Sequence, residues 1–98
     1  MLFALLFTDK PGHNLLRVEY LQSQFDWVDK NKHVVLVAGS LRIEPQYDPK
    51  GELSMVEAQS KDDVMQILAT DPFYTCGLRQ SIEVLHFSEA LEHHFAPV

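Results

Sequence analysis

The apolar run Leu2 to Thr8 is unbroken and closes at Asp9-Lys10-Pro11-Gly12. It is too short for a typical helix, so it predicts a strand buried on both faces. From Asn14, which predicts an N-cap, the residues Leu15, Val18, Leu21, Phe25 and Val28 recur at steps of three and four, while Arg17, Gln24 and Asp26 fall mostly elsewhere. That spacing predicts an amphipathic helix of about four turns. After the polar Asp29 to Lys32, the stretch His33 to Ala38 is β-branched and apolar and continues through Gly39 towards Ile43. It predicts a second strand, bulged at Gly39. Glu44 to Gly51 carries two prolines and a glycine, the composition of a connection between antiparallel strands, and Leu53 to Ala58 follows as a third strand.

Ser60-Lys61-Asp62-Asp63 has the form of a capping box with Asp in place of Glu, and Val64, Ile67 and Leu68 then supply a helical apolar stripe. Asp71-Pro72 interrupts that helix, and Phe73-Tyr74 up to Gly77 predict one more short helical turn. A last strand runs from Arg79 to His86, leaving Phe87 to Val98 as a C-terminal tail that docks on a neighbour. The order βαββαβ predicts a ferredoxin-like α+β fold, with both helices on one face of an antiparallel sheet, in a single domain over residues 1–98. A sheet with one wet face alternates apolar and polar positions; Leu2 to Phe7 and Val34 to Ala38 do not. The uncovered face therefore predicts a homodimer packed sheet against sheet, a dimeric α/β-barrel.

Composition narrows the function classes. The chain has 98 residues and a net charge of -6, from fourteen acidic and eight scattered basic residues. It offers no basic footprint, so no nucleic-acid partner is expected. The opening MLFALLF lacks a basic n-region and runs into Asp9-Lys10, so it predicts a strand rather than a leader, and no apolar run approaches the roughly 20 residues that span a bilayer. No membrane partner is expected. A lone cysteine, Cys76, excludes an intramolecular disulfide, suits a reducing cytoplasm, and reads as a small buried residue rather than a nucleophile. Gly12, Gly39, Gly51 and Gly77 are too dispersed for a phosphate cradle, so no nucleotide cofactor is expected. Three of the five histidines, His13, His33 and His86, lack ligand spacing, and the adjacent His93 and His94 would diverge on a helix, so no metal is expected. Trp27, Phe25 and Phe73 read as core or interface residues.

Four residues carry candidate chemistry. Asp71, before Pro72, is placed either to cap a short helix or to present a ligand-facing carboxylate. Arg17 and Tyr20 share one helical turn; together they suit an anionic or carbonyl-bearing ligand. Taken singly, Arg17 reads as an ion-pair partner of Asp9 or Asp71, and Tyr20 as a half-buried aromatic. His13 precedes the helix, where it reads either as a solvated loop residue or as a group entering the same cleft.

The chain resembles the YciI-like (YCII-related) proteins, small ferredoxin-like dimers, over nearly its whole length. The resemblance rests on Thr8-Asp9-Lys10-Pro11-Gly12, Arg17 with Tyr20-Leu21, Val37-Ala38-Gly39-Ser40-Leu41, and Asp71-Pro72-Phe73-Tyr74 with Gly77-Leu78, the most specific block. In that family the first helix carries Arg, two residues, then His-Leu, and its histidine and the aspartate of the Asp-Pro block are regarded as the active-site pair. The resemblance implies Asp71 as acceptor or base, Arg17 as anion anchor and a small organic ligand between them. Tyr20 stands at the histidine position. With a phenol pKa of about 10 it serves as a hydrogen-bond donor, not as a neutral-pH base. Two functions follow. One is ligand binding with acid/base chemistry, similar to isomerases, lyases and cofactor-independent oxygenases on related barrels. The other is a non-catalytic binding or interaction module that has lost the family histidine.

Overall fold

The computed structural model describes residues 1–88. Their elements run β1 (Leu2–Asp9), α1 (Asn14–Lys30), β2 (Val35–Leu41), β3 (Gly51–Glu57), α2 (Lys61–Leu68), α3 (Pro72–Thr75) and β4 (Arg79–His86). The four strands form one antiparallel sheet in the order β2-β3-β1-β4, the ferredoxin-like arrangement expected from the pattern. On one face Phe3, Leu5 and Phe7 lie opposite Val84 and Ile82 of β4 and Val56 of β3, and Trp27, Val64 and Leu68 from the helices close over them as the core. Gly51 opposes Thr8 where the backbones crowd; a Cβ there would lie 1.9 Å from the Phe7 carbonyl oxygen.

The pattern and the structure part company in four places. β2 begins at Val35 rather than His33, and its register shift falls between Val35 and Val37, not at Gly39. β3 begins at Gly51, two residues before Leu53, because Gly51 and Glu52 already pair with β1. Asn14 is the first helical residue, not a cap; His13 holds the N-cap position without a side-chain bond, and Asn14 donates from Nδ2 to Asp48 instead. The largest difference is the rotation of α1. Most of its apolar stripe points outward, with Leu15 82%, Val18 71% and Phe25 58% exposed and Val28 packed against the core, while Arg17, Gln24 and Trp27 face the sheet. The reason lies beneath the helix, where polar groups need partners that leucines do not supply.

The caps behave as expected. Ser60 Oγ accepts from Asp63 N at the start of α2, and Gly77 takes the positive φ of 87° that ends the α3 turn. No helix among the described residues is long and apolar enough to cross a membrane. Of the C-terminal tail only Phe87 and Ser88 fall within the described residues.

Candidate ligand site

β1 keeps its period of two through its last residue, so Asp9 lies on the core face in line with Phe3, Leu5 and Phe7. Buried there, its carboxylate is neutralised from two sides. Arg17 of α1 binds Oδ2 through Nη2, and Arg79, directly across the ladder on β4, donates from Nη1 to Oδ1 at 2.7 Å. The second amino group of Arg79 donates to Glu52 Oε1 at 3.0 Å, and Ser54 Oγ donates to Glu52 Oε2 at 3.0 Å. The result is a buried chain of alternating charge, Arg17, Asp9, Arg79 and Glu52, all on the helix side of the sheet. Aromatic rings cover it: the Arg79 guanidinium lies 4.4 Å from the Phe7 centroid and 5.2 Å from that of Phe73, and Arg17 lies 4.9 Å from Phe73.

α3 locks onto this chain from above. Asp71 caps it, with Oδ1 accepting from Phe73 N at 3.0 Å, and Gln24 Oε1 of α1 accepts from the same N–H at 3.1 Å. Asp71 is 1% exposed. Burial pushes its carboxyl up to about 6; the Glu52 charge adds to the rise, and the Arg79 charge and the Phe73 and Tyr74 N–H groups oppose it.

Beside the network, between α1 and the β2–β3 edge, opens a cavity of about 380 Å³. Arg17, Gln24, Glu52, Ser40, Phe25 and Phe73 contribute to its wall. Three buried donors, Arg17 Nε, Gln24 Nε2 and Arg79 Nε, have no hydrogen-bond partner among the described residues, and two of them belong to side chains of this wall. The wall itself carries the hydrogen-bonding side chains Arg17, Gln24, Ser40 and Lys32 beside two aromatic rings, which suits a flat ligand that brings acceptors. Among the described residues no cluster of His, Cys, Asp and Glu is arranged to hold a metal ion.

The four candidate residues do not gather at one point. Arg17 stands in the cavity wall and pairs with Asp9, one of its two anticipated partners. Asp71 fulfils the capping role and lies outside the cavity lining, tied to it through the Phe73 N–H that it shares with Gln24. Tyr20 is half-buried and also outside the lining. His13 is exposed at the N-terminal end of α1, its Nδ1 2.9 Å from the Pro11 carbonyl oxygen. Cys76 is half-buried, and of the three aromatic residues Phe25 is exposed while Trp27 and Phe73 are core.

Sequence reasoning missed Asp9, Gln24, Glu52 and Arg79 as site residues. Asp9 was accessible from its place two residues beyond Phe7 on a strand, and Gln24 from its place two helical turns beyond Arg17. Glu52 carried no signal, since the chain around it read as a connection.

No family model matches this chain, and no curated protein does. Among solved structures it is similar to TftG, a 5-chloro-2-hydroxyhydroquinone dehydrochlorinase from Burkholderia phenoliruptrix AC1100 in complex with 2,5-dihydroxybenzoquinone. The two share 26% identity and a TM-score of 0.82 over 92% of this chain and 96% of that one. It is also similar to protein Atu4242 from Agrobacterium tumefaciens, at 12% identity and a TM-score of 0.54 over 100% of this chain and 99% of that one, a likeness of fold alone. Fold and comparison together define a ferredoxin-like α+β protein whose neighbours include a small-molecule enzyme.

Proposed function

We propose that this chain is a YciI-like protein that binds a small, acceptor-rich ring compound in the cavity between α1 and β2–β3. The observation that carries this reading is the cavity wall itself, where Arg17, Gln24 and Ser40 bring hydrogen-bonding side chains to an open volume flanked by Phe25 and Phe73. Its size falls within the range of roughly 300–1,000 Å³ typical of small-molecule sites. The similarity to TftG, whose bound quinone is a flat ring bearing oxygen acceptors, supports the same ligand class.

The test is a calorimetric titration with 2,5-dihydroxybenzoquinone. Ser40→Phe on the exposed edge strand fills the cavity beside Glu52, its partner across the ladder, and replaces none of the buried charges. It is expected to weaken binding by about tenfold or more at unchanged thermal stability. Equal affinity in both proteins, or no heat from the native one, refutes this ligand site.

A second reading, proton transfer on the bound compound, is favoured by two carboxyl groups. Glu52 stands in the wall, and Asp71, raised to about 6, is linked to it through the Phe73 N–H that it shares with Gln24. A carboxyl near 6 changes protonation state close to neutrality, as an acid/base group requires. In that reading Arg17, in the wall, acts as anchor.

We further propose that a second copy covers the open sheet face, where Leu6, Val37, Leu41 and Leu85 remain exposed alongside Ala4, Leu53 and Met55. Native mass spectrometry is expected to show a dimer, and Val37→Lys with Leu85→Lys to convert it to a monomer. A native protein that is already monomeric contradicts the covered face.

A further inference from the structure

A second cavity shares no lining residue with the first, which Arg17 lines while its partner Asp9 lines the second. On the far side of the Asp9–Arg17 ion pair, the β1–α1 and β2–β3 connections enclose a volume of about 710 Å³, again within the size range of small-molecule sites. Lys10, Pro11, Asn14, Tyr47, Pro49 and Lys50 contribute to its lining, with Asp9 at its base.

Its charges do not cancel. Asp9 is already taken up by two guanidinium groups, and Asp48 accepts from Asn14 Nδ2 at 3.0 Å. Lys10 and Lys50 contribute to the lining and have no ion-pair partner among the described residues, and they outnumber Asp48, whose one partner is the neutral Asn14 amide. α1 adds to the same sign. Its first turn holds no acidic residue and its N-cap His13 supplies no side-chain acceptor, leaving the positive end of a 17-residue helix open at Asn14. The remaining surface is apolar and stiff, made by Pro11, Pro49, Tyr47 and Ile43. A group that satisfies both halves carries one negative charge on a flat hydrophobic body.

We propose that this second cavity is a binding site for a small aromatic carboxylate, held through Lys10 and Lys50 with its ring against Tyr47 and the two prolines. The site is separate from the α1–β2 cavity, and the proposal does not depend on what that cavity binds.

The experiment is an amide NMR titration of the full chain with benzoate and, in parallel, with benzamide, which keeps the ring and removes the charge. Benzoate is expected to shift the amide signals of Lys10, Gly12, Asn14 and Lys50 saturably, with benzamide at least about tenfold weaker. The double variant Lys10→Gln, Lys50→Gln is expected to lose about tenfold in benzoate affinity, a change that a surface double substitution does not produce through folding. Ser40→Phe, which fills the other cavity, is expected to leave benzoate binding unchanged. The proposal is overturned if benzoate and benzamide bind equally, if the shifts centre on Arg17 and Ser40, or if no saturable shift occurs at tens of millimolar.

Discussion

Replacing Asp71 with Asn is expected to make the protein more stable at neutral pH, by about 1–3 kcal/mol. The sign follows from burial. The folded state holds the carboxyl at about 6 against 3.8 for the free group, so between those values the native chain keeps a proton that the unfolded chain has lost. Stability from this group is complete below about pH 4 and is lost as pH rises through 6. Above that, the native state carries a buried charge whose cost, from the size of the shift, is about 3 kcal/mol. Asparagine stays neutral at every pH and remains a good cap, able to accept from Phe73 N as Asp71 does. Urea unfolding at pH 4, 5, 6 and 7.5 should therefore show a falling curve for the native protein and a flatter, higher one for Asp71→Asn. A variant less stable at pH 7.5, or with an unchanged slope between pH 4 and 6, contradicts the burial argument. A carboxyl that costs stability where its amide would not is the kind of residue expected at a functional site.

The larger loss belongs to Arg79. Its two amino groups hold Asp9 and Glu52 at once, and its plane lies between Phe7 and Phe73. Arg79→Leu leaves Glu52 without a cation and Asp9 with only Arg17, both inside the protein, and removal of one partner from a buried ionic network costs about 3–5 kcal/mol. Against a total stability of about 5–15 kcal/mol that brings the domain close to unfolding. Neutralising the stranded acid should reverse most of the effect. The double variant Arg79→Leu, Glu52→Gln is expected to recover more than half of the lost stability, because it removes the uncompensated charge while Asp9 stays paired with Arg17. A single variant that loses less than about 1 kcal/mol shows that the network is solvated and not buried.

The architecture was legible where chain physics is local. Pro11-Gly12 closes β1, Ser60 and Asp63 open α2, Asp71-Pro72 opens α3 and Gly77 ends it, each through a backbone requirement that few residue types meet. β4 was bounded correctly by the same reasoning. The site was harder to see for a physical reason. Periodicity assigns apolar residues to the inside, and here the inward face of α1 is led by Arg17 and Gln24 because Asp9 and the Phe73 N–H wait beneath it. Leu15, Val18 and Phe25 then read as the core stripe although they point away from it. Glu52 was hidden for another reason. Its cation Arg79 becomes a neighbour only once β1, β3 and β4 are aligned, and no short window of sequence contains that alignment.

The outward stripe of α1 also bears on how the protein behaves in bulk. Copies that carry Leu15, Val18 and Phe25 on their surface attract one another at short range, and the net charge of -6 is the repulsion that holds them apart. That repulsion reaches about 10 Å at 0.1 M salt and about 3 Å at 1 M. Solubility is thus expected to fall as salt screens that repulsion or as acid removes the net charge.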